Sequence, residues 1–293
     1  MTALQKTRTN GPVLIHTEHE LHDLEQRPPV AAVFTMGALH EGHAHLIDEA
    51  RKYVDQSGDV AGTVIVSVFV NPTQFEKSED LANYPRTISS DLEVCAKSDA
   101  DIVFVPSVSE IYPEGVLPIE KVAAGQLGDI FEGASRPGHF DAVLTVVNRL
   151  IQITKPDAVF FGEKDFQQLV LVRQMVRELN LPVEVIGVPT VRDSTGLALS
   201  SRNEQLDSSA RKVASCLHES LIMAQQGISE GKASTEVKTE CAEYLRANTE
   251  IDLDYFEIVN EDLHPPKPGD KLRALVAAKI GGVRLIDNIS LNR

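Results

Sequence analysis

The stretch VAAVFTMGALHEGH, residues 30–43, decides the fold prediction because it joins two elements through a glycine-bearing turn. Residues 30–35 are an apolar run that predicts a buried strand, and apolar residues recur from Leu46 to Val54 at nearly helical spacing. A strand that leads through a glycine turn into a helix is typical of nucleotide-binding α/β sheets. The unpaired N–H groups at such a helix N-terminus suit phosphate.

Further apolar runs continue the alternation of strand and helix. We predict the following strands after the first one: 63–70, 102–105, 158–161 and 183–188. Helical stripes separate them, for example Val143 to Ile151 and Leu169 to Leu179. Repeated strand–helix–strand units predict a parallel sheet, whose ligands lie beyond the carboxyl ends of its strands.

The last third of the chain has a different pattern. Residues 207–247 are rich in helical patterns, with breaks expected near Gly227 and Gly231. The apolar runs that follow are 255–259, 272–278 and 283–289. We therefore predict an α/β fold with a Rossmann-like parallel sheet over residues 1–189 and a smaller α+β domain over residues 190–293.

Composition excludes several classes of protein. The 293 residues are 42% hydrophobic and 24% charged, which is ordinary for a globular chain and excludes disorder and collagen. The apolar run Val64 to Val70 is far shorter than the roughly 18 residues of a membrane helix. We therefore expect no membrane partner, and because the net charge of −15 repels phosphate backbones we do not expect nucleic acid as a partner.

The cysteines and the N-terminus bear on the compartment. Cys95, Cys216 and Cys241 are odd in number and widely spaced, which favours inert buried thiols over a disulfide framework or a zinc site. Residues 1–10 lack the apolar core of a secretion signal. We expect a cytoplasmic protein.

The histidine pair of the quoted stretch carries the sharpest chemical signal. His40 and His43 are three residues apart, so they face the same way on the first helical turn, and Gly42 lets a nucleotide approach the backbone. Such a pair can hold triphosphate oxygens and stabilise charge as a phosphoanhydride bond breaks. The alternatives are two solvated histidines, or a zinc site whose third ligand is not evident.

Two later segments add cationic and hydroxyl groups. Lys164 follows the predicted strand 158–161 just before a helix, where a cation is unfavourable unless it meets an anion. Ser200, Ser201 and Arg202 offer further phosphate ligands. The alternatives are an ordinary charged helical turn for the first segment and an ordinary loop for the second.

A fourth group consists of neutral amides and weaker candidates. Asn71 and Gln74 follow a strand and can bind hydroxyl and carboxylate groups, although an Asn-Pro turn explains them equally well. Arg136 could bind an anion or lie on the surface, and Tyr84 is a weaker signal. Asp91 could assist a metal, but we expect it on an exposed helix face.

These segments together resemble the pantothenate synthetase (pantoate–β-alanine ligase) family over most of the chain. The resemblance rests on TMGALHEGH (35–43), FVNPTQF (69–75), YPRT (84–87), RPGHF (136–140), FFGEKDFQQLVLVRQMV (160–176), GLALSSRN (196–203) and, more weakly, LIDNI (285–289). One departure is Phe34, which stands where the family often has proline.

The resemblance implies a two-step reaction and a fold. Pantoate carboxylate attacks the α-phosphorus of ATP to form pantoyl adenylate, and β-alanine then displaces AMP to give pantothenate. Mg²⁺ is expected to bridge phosphate oxygens while keeping several waters, and no side chain is assigned as its ligand. The family fold is a Rossmann-like domain with a HIGH-type nucleotide site and a smaller C-terminal domain, usually as a homodimer.

The resemblance also implies roles for individual residues. The catalytic set is His40, His43, Lys164, Ser200, Ser201 and Arg202, with His43 as proton donor. The implied ATP contacts are Met36, Gly37, Ala38, Leu39, His40, Glu41, Gly42, His43, Gly162, Glu163, Lys164, Asp165, Val191, Leu199, Ser200, Ser201 and Arg202. The implied substrate contacts are Gln74 and Gln168, which match pantoate-binding glutamines, together with Asn71, Tyr84 and Arg136.

Two other functions stay open from the residues alone. One is a nucleotidyltransferase that acts on a phosphorylated acceptor, which would share the histidine motif but leave the amides of the NPTQ segment unexplained. The other is a nucleotide-binding regulatory protein without catalysis. Because an acyl adenylate hydrolyses when water reaches it, we also hypothesise that the smaller domain closes as a lid carrying Ser200 to Arg202.

Overall fold

The computed structural model describes residues 11–56, 61–75, 78–113 and 121–291. The chain divides into two compact units. Unit 1 holds the residues up to Gly162 together with Leu171–Val188, and unit 2 holds Glu163–Val170 together with the residues from Pro189 onward. The functional domains expected at residues 1–189 and 190–293 stay a prediction.

Six strands of the described residues form the parallel sheet of unit 1. They are β1 (Val13–Ile15), β2 (Val30–Thr35), β3 (Thr63–Val68), β4 (Ile102–Phe104), β5 (Ala158–Gly162) and β6 (Glu184–Val188). Their order is β1-β4-β3-β2-β5-β6, and every neighbouring pair is parallel. This confirms the predicted fold class.

The strand order places the candidate ligand region. The chain builds outward from β2 through β3 and β4 on one side and from β5 to β6 on the other, so the order reverses between β2 and β5. Such a reversal is where ligands bind in open α/β sheets, beyond the carboxyl ends of the strands. The carboxyl ends here are Thr35 and Gly162.

Helices of unit 1 cover this sheet. Those of the described residues are α1 (Glu18–Asp23), α2 (Glu41–Asp55), α3 (Ser78–Asn83), α4 (Ile88–Lys97), α5 (Val108–Ile111), α6 (Glu132–Ser135) and α7 (His139–Thr154). Helix α8 (Phe166–Glu178) begins in unit 2 and continues in unit 1. Residues 36–43, which carry His40 and His43, are called the histidine turn and lead into α2. Ile47, Ala50 and Val54 of α2 are fully buried in a cluster with strand residues, which fixes the position of this helix in unit 1.

Two helices and a three-stranded antiparallel sheet form most of the described part of unit 2. They are α9 (Ser208–Ser229), α10 (Ser234–Arg246), β7 (Ile251–Asn260), β8 (Leu272–Ile280) and β9 (Val283–Ser290), with the sheet order β7-β8-β9. One apolar cluster joins the helices to the sheet, with Leu217, Leu221 and Val276 among its buried members. The predicted α+β character is confirmed.

The expected helix break near Gly227 is wrong. Gly227 lies inside α9, and a Cβ built there would be 2.8 Å from Cγ2 of Val237. The glycine therefore allows a close approach of α10. The break falls instead at Gly231, where φ is +85°.

The cysteines are free thiols. Cys95 and Cys241 are buried and Cys216 is half-buried. Burial raises the pKa of Cys95 to about 12 and that of Cys241 to about 11, so both stay protonated and unreactive. Among the described residues, no helix is long and apolar enough to cross a membrane.

Candidate active site

The histidine turn begins directly after β2 with two residues in the left-handed region. Gly37 has φ +86° and Ala38 has φ +51°. A Cβ at Gly37 would lie 3.1 Å from both Val68 Cγ1 and Asp91 Oδ2, so both the conformation and the space favour glycine. A left-handed alanine costs energy, and such strain is common at functional sites.

The side chains of the two histidines form a capping box at the N-terminus of α2. Nδ1 of His40 accepts the Gly42 N–H at 3.1 Å, and Nδ1 of His43 accepts the His40 N–H at 3.3 Å. The ring centroids are 4.1 Å apart. Because each Nδ1 acts as an acceptor, a neutral ring carries its hydrogen on Nε2. The start of α2 therefore carries two imidazole rings whose donor nitrogen, when the ring is neutral, is Nε2.

Asp91 supports this turn, and its predicted exposed position is wrong. The side chain is 1% exposed, and its Oδ1 accepts the Leu39 N–H at 2.8 Å and the Thr87 hydroxyl at 3.2 Å. Asp91 lies four residues before the buried Cys95, so both share the inner face of α4. That spacing was the sequence signal that could have placed it.

Neutral amides gather at the short 3₁₀ turn Pro72–Gln74, which follows β3. Asn71 is 1% exposed and its Oδ1 accepts the N–H of Thr73 at 3.3 Å, the hydroxyl of Thr73 at 2.9 Å and the hydroxyl of Tyr112 at 2.9 Å. Its Nδ2 donates to the Ala142 carbonyl at 3.4 Å. The buried side chain of Asn71 thus ties the turn to Tyr112 and to the Ala142 carbonyl. Sequence reasoning missed Tyr112, whose role depends on a contact 41 positions away.

Arg136 and Tyr84 belong to the same region of unit 1. Arg136 donates to the Gln74 carbonyl at 3.4 Å and to Nε2 of His139 at 2.9 Å. Tyr84 packs edge-on against Phe75, with ring centroids 5.4 Å apart. The structure therefore brings the predicted residues Gln74, Arg136 and Tyr84 to one turn.

A second cluster lies in unit 2 and joins residues from three segments. Lys164 follows β5 on a 3₁₀ turn, Glu163–Asp165, and lines a small pocket with Ser200, Arg202 and Arg284. Ser200 caps the 3₁₀ helix Ser201–Gln205 by accepting the Arg202 N–H at 3.3 Å. The lining combines three cationic side chains and the Ser200 hydroxyl with apolar residues, and the cations suit an anion.

The remaining predicted residues occupy diverse positions. Val191 and Leu199 pair through a backbone hydrogen bond of 2.9 Å in a hairpin that leads to Ser200. Gln168 is half-buried in α8. The others are Met36 and Leu39, half-buried in the histidine turn, Glu41, exposed in the first turn of α2, Gly162, the last residue of β5, and Glu163 and Asp165, which flank Lys164.

Phe34 has a packing role in unit 1. Its ring is half-buried at the end of β2 and lies edge-on to Phe161 of β5, with centroids 6.4 Å apart and planes at 75°. The aromatic pair bridges the two central strands on one face of the sheet. The aromatic side chain of Phe34 thus lies at the end of β2, just before the histidine turn.

The chain is similar to a well-represented group of proteins. The sequence model of the pantoate-beta-alanine ligase family matches residues 13–290. Pantothenate synthetase of Nocardioides is 49% identical over 97% of this chain and 86% of the relative. A crystal structure of pantothenate synthetase from Thermus thermophilus has a TM-score of 0.87 and 42% identity, covering 96% of this chain and 99% of that one.

A further solved structure carries ligands. The pantoate-beta-alanine ligase of Francisella tularensis, crystallised with beta-gamma ATP and beta-alanine, matches with a TM-score of 0.74 and 35% identity. It covers 96% of this chain and 98% of that chain. The likeness to the two solved structures therefore extends over nearly the full length of the chains compared.

Proposed function

The chain belongs to the pantoate-beta-alanine ligase family, and from this membership we infer that it condenses pantoate with β-alanine to form pantothenate at the expense of ATP. In the first step a pantoate carboxylate oxygen attacks the α-phosphorus and pyrophosphate leaves. In the second step the β-alanine amine attacks the acyl carbon, AMP leaves and the amine loses a proton. No covalent enzyme intermediate is needed, so the protein's task is alignment and charge stabilisation.

The reciprocal capping of His40 and His43 is the observation that supports this function best. With each Nδ1 accepting a backbone N–H, the hydrogen of a neutral ring lies on Nε2, at a helix N-terminus where the helix dipole also favours negative charge. We propose that these donors bind triphosphate oxygens and that His43 is the proton donor as pyrophosphate departs. The backbone from Met36 to Gly42 completes the nucleotide contacts in this proposal.

The unit 2 pocket is also proposed to bind phosphate oxygens of ATP. Lys164 supplies a compact positive charge, Arg202 a planar guanidinium, and Ser200 and Ser201 supply hydroxyls. Support comes from the shared pocket lined by Lys164, Ser200 and Arg202. Gly162, Glu163, Asp165, Val191 and Leu199 are the flanking ATP contacts in this proposal.

Pantoate and β-alanine are proposed to meet the amide-bearing residues. Gln74 and Gln168 offer donors and acceptors for the hydroxyl and carboxylate groups of pantoate, and Gln74 also lies near β-alanine in this proposal. Arg136 and Tyr84 support the Gln74 turn through the contacts given above. Asn71 contributes chiefly by holding that turn, because its Oδ1 already accepts three hydrogen bonds.

We propose that Mg²⁺ arrives with ATP, held by phosphate oxygens and water. Oδ2 of Asp91 is buried without a hydrogen-bond partner in the described part of the chain. No group of three or more His, Cys, Asp or Glu side chains suited to a metal occurs among the described residues. No described side chain is therefore assigned to the metal, and no step is routed through it.

A homodimer and a cytoplasmic location are further proposals, and both follow the family. Light scattering of the purified protein tests the first. Fractionation of producing cells tests the second.

Isotope exchange between pyrophosphate and ATP tests the proposed reaction. With Mg²⁺ present and β-alanine omitted, we expect exchange only when pantoate is added. Exchange that needs a phosphorylated acceptor instead would favour a nucleotidyltransferase. ATP binding without any exchange would favour a non-catalytic nucleotide-binding protein.

A further inference from the structure

The turn that carries Lys164 is held by a residue from the far end of the chain. Nδ2 of Asn288 in β9 donates to the carbonyl of Glu163 at 2.8 Å and to the carbonyl of Lys164 at 2.9 Å. The partners are 125 and 124 positions apart in sequence. Both amide hydrogens of Asn288 are therefore donated to two successive carbonyls of this turn.

Arg273 of β8 completes this support. Its Nη1 donates to Oδ1 of Asn288 at 2.7 Å and to the carboxylate of Glu163 at 3.3 Å. The guanidinium lies 3.9 Å from the ring centroid of Phe166, and Arg273 is 5% exposed. Asn288 thus has its amide oxygen and nitrogen both fixed, so it cannot rotate away from the turn without breaking three hydrogen bonds.

The preceding residue holds the second loop of the pocket. Asp287 is 3% exposed and accepts two hydrogen bonds from Arg192, at 2.5 and 2.9 Å. Arg192 also donates to the carbonyl of Gly196 at 3.0 Å, which closes the hairpin that leads to Ser200. A bidentate carboxylate–guanidinium pair fixes orientation as well as distance.

Strand geometry explains why two adjacent residues can reach two loops. Successive side chains of a strand point to opposite faces of the sheet, so Asp287 and Asn288 extend in opposite directions. Neither residue lines the pocket that contains Lys164, Ser200 and Arg202. Their influence on an anion in that pocket must therefore pass through the loops they hold.

We propose that Asp287 and Asn288 are positioning residues that set the Lys164 turn and the Ser200 hairpin in one arrangement for the triphosphate. This rests on the proposed function, since it concerns the pocket assigned to ATP. The pair fixes the backbone of both loops before ATP binds. Adenylate formation therefore depends on it more than the attack of β-alanine does.

The decisive variant is Asn288→Asp. It keeps the shape and the acceptor for Arg273, but an ionised carboxylate cannot donate to the two carbonyls. We expect kcat/KM for ATP in pantoate-dependent exchange to fall by about 10- to 100-fold, because displacements near 1 Å have such effects. The KM for β-alanine should change by less than about 3-fold on the same reasoning.

Asn260→Asp is the matched control in the same sheet. Asn260 also bonds to its surroundings through both its amide oxygen and its amide nitrogen, the latter donating to Oδ2 of Asp270 at 3.2 Å, and the change adds the same charge. We expect its exchange activity to equal that of the wild-type protein. A loss equal to that of Asn288→Asp would overturn the proposal, because general loosening of unit 2 would then explain both.

A double-variant cycle separates positioning from folding. If Asn288 acts through Lys164, then Asn288→Asp should cost little more in a Lys164→Ala background. An equal fold-loss in both backgrounds would overturn the proposal. If Asn288→Asp does not give folded protein, Asn288→Ser is measured in both backgrounds with the same expectations. Absence of exchange in the wild-type protein would instead refute the proposed function.

Discussion

The histidine turn of unit 1 and the lysine turn of unit 2 are built in opposite ways. The side chains of His40 and His43 cap the start of α2 by accepting the N–H groups of Gly42 and His40, all within four positions of sequence. Lys164 sits on a turn held by Asn288, 124 positions away. The histidine turn is thus capped by its own residues, with added support from Asp91, whereas the lysine turn is held from a remote strand.

The difference follows from the backbone groups that each turn leaves unpaired. A helix N-terminus exposes N–H donors, which neighbouring side chains can cap. The Glu163–Asp165 turn instead exposes carbonyls to Asn288, and a capping carboxylate or imidazole acceptor cannot satisfy a carbonyl. A donor has to come from elsewhere in the fold. The comparison yields four predictions, from the largest effect to the smallest.

The largest effect is expected from His43→Gln. Glutamine at the third helical position can still accept the His40 N–H, so the capping box survives while the imidazole is lost. We expect adenylate formation to fall by about 10²- to 10³-fold, the usual result of removing a transition-state donor. Pantoate-dependent exchange measures this, and thermal unfolding serves as the control. A near-normal exchange rate would refute a chemical role for the histidine turn.

A smaller loss of adenylate formation is expected from Arg202→Ala in the unit 2 pocket. Arg202 is exposed, so stability should be unchanged, while one charged hydrogen-bonding group worth about 1.5–3 kcal/mol is lost. That corresponds to roughly a 10- to 150-fold decrease in adenylate formation. Arg246→Ala, at another exposed position of unit 2, is the control. Equal activities of the two variants would remove Arg202 from the proposed ATP site.

Asp91→Ala tests whether the histidine turn is truly self-contained. The change leaves the Leu39 N–H without its acceptor, which should cost about 1–3 kcal/mol of unfolding free energy. A roughly tenfold loss of exchange should accompany it as the turn shifts. Asp91→Asn, which keeps an oxygen for Leu39, should retain most activity. If both variants behave like wild type, the turn needs no remote support at all.

The smallest expected effect is a loss of folding stability at acid pH, caused by His218 of unit 2. The ring of His218 in α9 lies against Gly196 of the hairpin, and burial together with the charge of Arg192 lowers the pKa of His218, opposed by Asp287 and Glu219. The unfolded chain then binds this proton more readily than the folded one, so stability falls as the pH drops below about 6.5. Unfolding curves between about pH 8 and pH 5 should show this. His218→Gln should flatten the dependence, and an unchanged slope would contradict it.

The sequence predicted what is encoded locally. Strand β2 was predicted to its ends and β3 and β5 nearly so, because continuous apolar runs mark strands buried on both faces. Edge strand β1 was not predicted, because three residues with Leu14 exposed carry no periodic signal. Gly227 was taken as a break because its packing against Val237 is a long-range fact.

The candidate site divides along the same line. The histidine pair and its helix start were visible as a motif, and their roles stay predictions. The buried position of Asp91 was missed, and the contacts of Asn288 had no signal beyond the late LIDNI segment. Hydrogen-bond partners more than 100 positions apart are chosen by the tertiary fold, and residue type alone does not reveal them.

The discontinuity of unit 2 has a consequence for recombination between relatives. Residues Glu163–Val170 lie inside the first two thirds of the chain but belong with the residues from Pro189 onward. A chimaera joined at a single crossover near Pro189 would inherit Lys164 from one parent and Asn288 from the other. A chimaera that keeps unit 2 intact therefore has to take both segments from the same parent.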